Sequence, residues 1–155
     1  VIGVVQDVTR SVSMDLKEAD NFIYLLGEFS AEQKPVPDVP LSTLHLYRSL
    51  HQAIRGGFVR SAHDLSEGGL AVAAAEMCIG GRLGMILDVK DNALFAEVNG
   101  CLLAEVSPSN AAAFERHFEN LPFQKIGRVT ATSIFRLNQE QFTVAELVKV
   151  FNTSI

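Results

Sequence analysis

The sequence predicts an α/β (α+β) fold, a mixed β-sheet with helices packed on it, and three observations predict it. Short apolar runs of strand length alternate with longer stretches of helical period. Two strand-like runs follow one another directly near 123–137, so part of the sheet pairs antiparallel instead of forming a clean βαβ series. The length, 155 residues of which 48% are hydrophobic, suits one domain, spanning 1–155, with a substantial core.

Residues 2–8 (IGVVQDV) read as the first strand and 21–27 (NFIYLLG) as the second, stopped by Gly27. The stretch 28–42 holds three of the five prolines and reads as an extended surface loop. A helix follows over 43–55, with Leu44, Tyr47, Leu50 and Ile54 at helical spacing, Ser42 as its N-cap and Gly56-Gly57 closing it. Residues 58–63 (FVRSAH) predict a buried strand. An Ala-rich helix comes next, with Leu70, Ala73, Ala74 and Met77 inward, ended by Gly80-Gly81. Strands are expected at 83–89 and 101–106. Ser107-Pro108 then opens a helix in the preferred way, with Ser capping and Pro at the first helical position. That helix carries Ala111, Ala112, Phe114, Phe118 and Leu121. Strands at 123–129 and 133–137 lead to a last helix that Thr143 caps and that buries Leu147, Val148 and Phe151.

Composition excludes several classes of function. The net charge is −5 and there is no basic run, so the positive footprint of a nucleic-acid binder is missing. No tract of about 18 apolar residues is present, and no membrane span is expected. Cys78 and Cys101 form no CxxC and have no nearby histidine pair, so reduced, buried thiols are expected rather than a disulfide or a zinc site. That points to the cytoplasm. The chain opens on Val1 in what reads as mid-strand sequence, without an initiating Met or signal peptide, which is the expectation for a fragment of a longer chain.

The sharpest chemical feature is SAHDLSEGGLAV at 61–72. A strand ending in His63-Asp64, then Ser66-Glu67, then Gly68-Gly69 at a helix start, makes a turn whose N–H groups can converge on one spot. A helix N-terminus carries about half a positive charge and free donors, which suits a phosphate. Glycine lets a ligand or another backbone approach closely. These six residues are therefore the nucleotide- or phosphate-binding candidates, with His63, Asp64 and Glu67 able to add hydrogen bonds or hold a metal-bound phosphate. A purely structural reading stands beside this one. Asp64 or Ser66 can simply cap the helix, the glycines can serve packing alone, and His63 can be a satisfied strand-end histidine. The motif is neither GxGxxG nor a Walker loop. Elsewhere, His45 and His51 read as solvated or packing side chains and His117 as a surface residue. Asp88, Asp91 and Glu97 read as a solvated acidic loop, and Cys101 as a small hydrophobe. No catalytic triad can be assembled, so no catalytic residue is assigned.

The run SAHDLSEGGLAVAAAEMC closely resembles the signature of the carboxy-terminal domain of aminoimidazole ribonucleotide synthetase and its relatives. Within that superfamily its "AHDxSEGGLAVAxAE" form is most similar to the formylglycinamide ribonucleotide amidotransferases, or phosphoribosylformylglycinamidine synthases. VIGVVQDV at 1–8, NFIYLLGE at 21–28, ALFAE at 93–97, LLAEVSPSNAAAF at 102–114, IGRV at 126–129 and TVAEL at 143–147 resemble further family stretches in the right order. Two departures stand out. The family's insert with a "GGSEY"-like core is replaced by the Pro-rich loop 28–42, and Val98 and Cys101 stand where many members have Ser and Arg.

The resemblance implies a domain of an ATP- and Mg²⁺-dependent C–N ligase of purine biosynthesis. In that family ATP phosphorylates the amide oxygen of formylglycinamide ribonucleotide, and ammonia from glutamine displaces the phosphate to leave an amidine. The implied partners are the amino-terminal synthetase domains of the same protein and a glutaminase domain or subunit. The chain is similar to the carboxy-terminal domain of the second synthetase half, for which no activity in isolation is expected. A stand-alone ligand-binding module of the same fold is the alternative. Another superfamily enzyme, such as a thiamine-phosphate kinase, selenophosphate synthetase or hydrogenase-maturation protein, is a further one, although those show a shorter "DxSDGL" motif.

Overall fold

The computed structural model describes residues 4, 5, 7–29, 39–89 and 94–153. Seven strands form one sheet: β1 (Phe22–Leu26), β2 (Val59–Asp64), β3 (Gly84–Leu87), β4 (Leu102–Val106), β5 (Phe123–Thr130), β6 (Ile134–Leu137) and β7 (Glu140–Thr143). Their order is β2-β4-β1-β5-β3-β6-β7. Every neighbouring pair is antiparallel except β3 and β6, which run parallel. The sheet is therefore mixed, as the consecutive strand signals predict.

Four helices cover it: α1 (Thr43–Arg55), α2 (Gly69–Gly81), α3 (Pro108–His117) and α4 (Val144–Thr153). The side-chain alternation of β1 and β4 divides the core between the two faces. Ile23, Leu25 and Leu103 join Leu70, Met77 and Val144 of α2 and α4 on one face. Tyr24, Leu26, Ala104 and Val106 join Leu46, Leu50 and Phe114 of α1 and α3 on the other. A sheet covered on both sides needs strands that are apolar throughout, and this is why FIYLL reads as a continuous apolar run. Ala71, Ala73 and Ala74 are buried and bring α2 close against the strands.

Several sequence expectations shift. The strand expected over 2–8 does not form in its described part: Val4, Val5 and Val8 are exposed, and Val8–Arg10 is a single 3₁₀ turn held by Asp7 accepting from the Thr9 N–H. With no neighbouring strand to pair with, apolar character alone makes no strand. Residues 1–3 and 6, and most of the Pro-rich loop (30–38), lie outside the described residues. Ser42 does not cap α1 through its side chain, because its hydroxyl donates to Glu28 Oε1 at 2.6 Å. Ser107 precedes Pro108 as expected, yet its hydroxyl meets Ser109 instead of the helix N–H groups. Gly80 and Gly81 belong to the last turn of α2, and the left-handed residue that ends it is Arg82. They are glycines because a Cβ on Gly81 would run into Leu16 of the crossing 11–18 segment. β7 was not expected at all: its four residues are exposed and carry no apolar alternation strong enough to read.

One polar group lies deep inside. Glu105 of β4 is fully buried on the face of the sheet that also bears Leu103. Its carboxylate accepts from the N–H groups of Lys17 (2.9 and 3.2 Å) and Glu18 (3.1 Å), from Asn21 Nδ2 (2.6 Å) and from Ser61 Oγ (2.7 Å). It thereby ties the segment before β1 to β2 and β4.

Candidate functional site at the β2–α2 loop

β2 is an edge strand, and its end delivers His63 and Asp64 to the loop that enters α2. Leu65 is buried and its N–H donates to Cys101 O at 3.1 Å, which pins the loop to the start of β4. Ser66 and Glu67 are exposed, and their side chains have no hydrogen-bond or ion-pair partner among the described residues. Gly68 (φ +80°) and Gly69 (φ +64°) are both left-handed, a conformation that costs an L-residue about 1 kcal/mol or more. Gly68 is the N-cap residue of α2, and no side chain caps that helix. Neither Asp64 nor Ser66 fills the capping role, so that structural reading of the motif falls away.

The two glycines answer different needs. A Cβ on Gly68 would press into the side chain of Val72, one turn on. A Cβ on Gly69 would stand 2.5 Å from Ala96 O and 2.8 Å from Phe95 C, both of them backbone atoms. The segment 94–96 thus lies directly across the start of α2, and Leu94 O accepts from Ala71 N at 2.9 Å. Gly69 N donates to Ser66 O at 3.0 Å. The N–H groups of Glu67, Gly68 and Leu70 have no acceptor among the described residues. The helix N-terminus is therefore half satisfied by its own chain and half open.

His63 is well covered and sits between two carboxylates. Its Nε2 is 2.7 Å from Glu76 Oε2 on α2, and its Nδ1 is 3.3 Å from Asp64 Oδ1. A carboxylate only accepts, so Nε2–H is the donor to Glu76. Glu76 was not singled out in the sequence. The available signal was its place 13 residues after His63, at the far end of the same motif. Asp64 itself is two-thirds exposed. Glu97 and Asp88 are exposed, and Asp91 lies outside the described residues, so the acidic stretch is a solvated face where it is described. Among the described residues no three His, Cys, Asp or Glu side chains come together as a metal cluster.

Behind the loop, both cysteines are buried and free, as expected. Burial raises the Cys78 thiol to about 12. It raises that of Cys101 to about 11, with the charge of Glu28 adding to the effect. Cys101 thus behaves as a small hydrophobe beside Gly27, where a Cβ would meet its Sγ at 2.9 Å. His45 and His51 are exposed. His117, expected at the surface, is instead half-buried, with Nε2 donating to Ser49 O at 2.9 Å.

Comparison with known proteins fixes the family. A family model described as AIR synthase related protein, C-terminal domain, matches residues 10–138. The chain belongs to that family. Its curated relatives include the phosphoribosylformylglycinamidine synthase subunit PurL of Lactobacillus helveticus, 36% identical over 100% of this chain and 24% of that protein. The AIR synthase related domain described here therefore spans about a quarter of that relative's length. Solved structures share its fold. Thermotoga maritima PurLQS superposes with a TM-score of 0.79 at 17% identity, covering 90% of this chain and 28% of the other. Thermotoga maritima PurL complexed with ATP gives 0.75 at 16% identity, covering 90% and 27%. No helix among the described residues is long and apolar enough to cross a membrane.

Proposed function

We propose that this chain is the carboxy-terminal domain of the second synthetase half of a phosphoribosylformylglycinamidine synthase, and that its 63–69 loop contributes to a nucleotide site completed by other domains. The whole protein would carry out the ATP- and glutamine-dependent amidation of formylglycinamide ribonucleotide. ATP phosphorylates the amide oxygen, and ammonia from a glutaminase domain or subunit forms the new C–N bond as phosphate leaves. The PurL relatives, one of them solved with ATP, support this assignment.

The observation that carries the loop's role is that the N–H groups of Glu67, Gly68 and Leu70, next to the positive end of α2, have no acceptor among the described residues. Three donors with glycine backbone between them fit phosphate oxygens. They do not make a self-sufficient site. Glu67 places an unpaired negative charge beside them, while Asp64 turns back to His63. Repulsion from one carboxylate offsets a dipole effect of about 0.3–1 kcal/mol. Position 101 holds a buried cysteine where many relatives have Arg, so that position supplies no cation. Mg²⁺ bridging Glu67 to a phosphate would resolve the conflict, with its remaining ligands from the nucleotide and from other domains.

The test is nucleotide binding and turnover by the 155-residue chain. Calorimetric titration with Mg-ATP should show weak binding, with Kd above about 0.1 mM. A coupled ADP-release assay with formylglycinamide ribonucleotide and ammonia should stay at background. Micromolar affinity that vanishes in Glu67→Ala, or turnover by this chain alone, would show a complete site and refute the reading.

A further inference from the structure

A cleft of about 660 Å³ lies away from the β2–α2 loop, between α1 and the C-terminal end of α3. Its cationic side chains come from both helices, Arg48 from α1 and Arg116 from α3, with His45 and His117 beside them. Neither arginine has an ion-pair or hydrogen-bond partner among the described residues. Glu119 is the one acidic side chain in the lining. In a chain of net charge −5, this is a local reversal of sign.

The helices themselves do not set that sign. Asn110 near the start of α3 donates to Gly57 O just past the end of α1, and His117 near the end of α3 donates to Ser49 O inside α1. The two helices are therefore antiparallel, and the negative end of α3 lies beside the positive end of α1, so their dipoles largely offset. Side chains decide, and the two guanidiniums, which have no side-chain partner among the described residues, stand on separate elements. His117 adds to this. Its contribution is positional: Nε2–H donates to Ser49 O and holds the end of α3 against α1, which fixes where Arg116 stands. Ser49 and Gln52 contribute neutral polar groups along the same wall.

We propose that this cleft is a binding site for a compact phosphate dianion, either inorganic phosphate or a phosphomonoester, separate from the 63–69 loop. Guanidinium presents a planar fork of donors that matches phosphate oxygens, and two forks approaching from different helices can engage different edges of one phosphate. The volume lies within the range of small-molecule clefts, about 300–1,000 Å³, and leaves space for an organic moiety beyond the phosphate.

The experiment is a titration of the 155-residue chain with sodium phosphate and, separately, with glycerol 3-phosphate, followed by ³¹P line broadening and calorimetry. Saturable, millimolar binding is expected. Equal affinity for both compounds assigns the site to phosphate alone, and tighter binding of the monoester shows that the cleft also reads the organic part. Arg48→Ala and Arg116→Ala should each weaken binding by about tenfold, one lost charge-assisted contact apiece. Glu119→Gln, which removes the opposing charge, should tighten it by about threefold. Glu67→Ala should leave it unchanged, which separates this site from the loop. No saturation up to about 20 mM of either compound would overturn the proposal. So would affinity that survives in the Arg48→Ala/Arg116→Ala double variant, or that fails to rise in Glu119→Gln.

Discussion

Replacing Glu105 by Gln probes the most heavily bonded side chain in the molecule. The carboxylate receives five hydrogen bonds from four groups, and every one of those groups is a donor: two backbone N–H, an amide NH₂ and a hydroxyl. Glutamine keeps the volume but replaces one accepting oxygen with an NH₂, which points a donor at donors. At the Oε1 position the NH₂ confronts Glu18 N–H and Asn21 Nδ2, and at the Oε2 position it confronts Lys17 N–H and Ser61 Oγ. Ser61 can escape by rotating its hydroxyl; the N–H groups of Lys17 and Glu18 cannot move without the chain. Hydrogen bonds to a charged acceptor contribute about 1.5–3 kcal/mol each, and a buried donor left unsatisfied costs about 1–3 kcal/mol. Losing two such bonds gives a destabilisation of about 3–5 kcal/mol, a large part of the 5–15 kcal/mol typical of a domain. Urea unfolding at neutral pH should record it, with the slope unchanged. Hydrogen exchange should speed up first at Lys17 and Glu18, because the segment before β1 is what the carboxylate holds. A loss below about 1 kcal/mol, or exchange that rises uniformly across the sheet, would refute the claim that this network anchors the segment.

The remaining predictions concern the glycines and the thiols. Gly69→Ala should destabilise by about 2–3 kcal/mol, through its positive φ and a Cβ driven at the backbone of Ala96, whereas Gly68→Ala should cost less, about 1–2 kcal/mol, because it meets the Cβ and Cγ2 of Val72 and no backbone atom. Equal losses in thermal unfolding would remove the close backbone approach as the reason for Gly69. The buried thiols should be silent to a thiol reagent at pH 8 in the native chain and both titrate after unfolding. Burial raises their folded values above the ordinary thiol value of 9.0, so the native state keeps protons that the unfolded state releases. Stability from this source is intact below pH 9 and falls as pH rises from 9 through about 11–12. Denaturant midpoints at pH 8 and pH 10.5 that match would contradict it.

How much of this was legible in the sequence depends on whether the signal was local. The span Thr43–Arg55 is read to the residue, because its helical period and the glycines that follow it are local, but its inner face is not: Leu44 and Tyr47 are exposed, and Leu46, Leu50 and Ala53 are buried instead. The strand Phe22–Leu26 is equally clear, since burial on both faces leaves an unbroken apolar run. The run at 2–8 has the same local look and fails in its described part, because a strand also needs a neighbour and nothing in IGVV says whether one exists. β7 fails in the opposite sense: its pairing with β6 makes a strand of residues that are all exposed. At the site, the glycine pair, the histidine and the absence of a phosphate-loop pattern were visible. What covers the glycines was not, because Leu94 and Ala96 come from 25 or so residues downstream and meet them only through the fold. Glu105 was invisible for the same reason: its four donors come from residues 17 to 61 and nothing near it in sequence explains a charge in an apolar strand.

The covering of α2 by segment 94–96 bears on how such a loop could serve both fold and ligand. The bond from Ala71 N to Leu94 O and the contact at Gly69 use the inner side of the helix N-terminus, and they are what forbids a side chain at Gly69. The open N–H groups of Glu67 and Gly68 belong to the outer side, where Ser66 and Glu67 are exposed. Packing and binding therefore make separable demands on adjacent glycines. Gly69 is held by the chain's own backbone, and Gly68 stands between that contact and the solvent-facing turn. A ligand at the outer side would not have to displace Leu94, so binding there needs no rearrangement of the core. It would have to accept Glu67, and it is this residue, exposed and without a partner among the described residues, rather than either glycine, that sets how strongly the domain can hold an anion by itself.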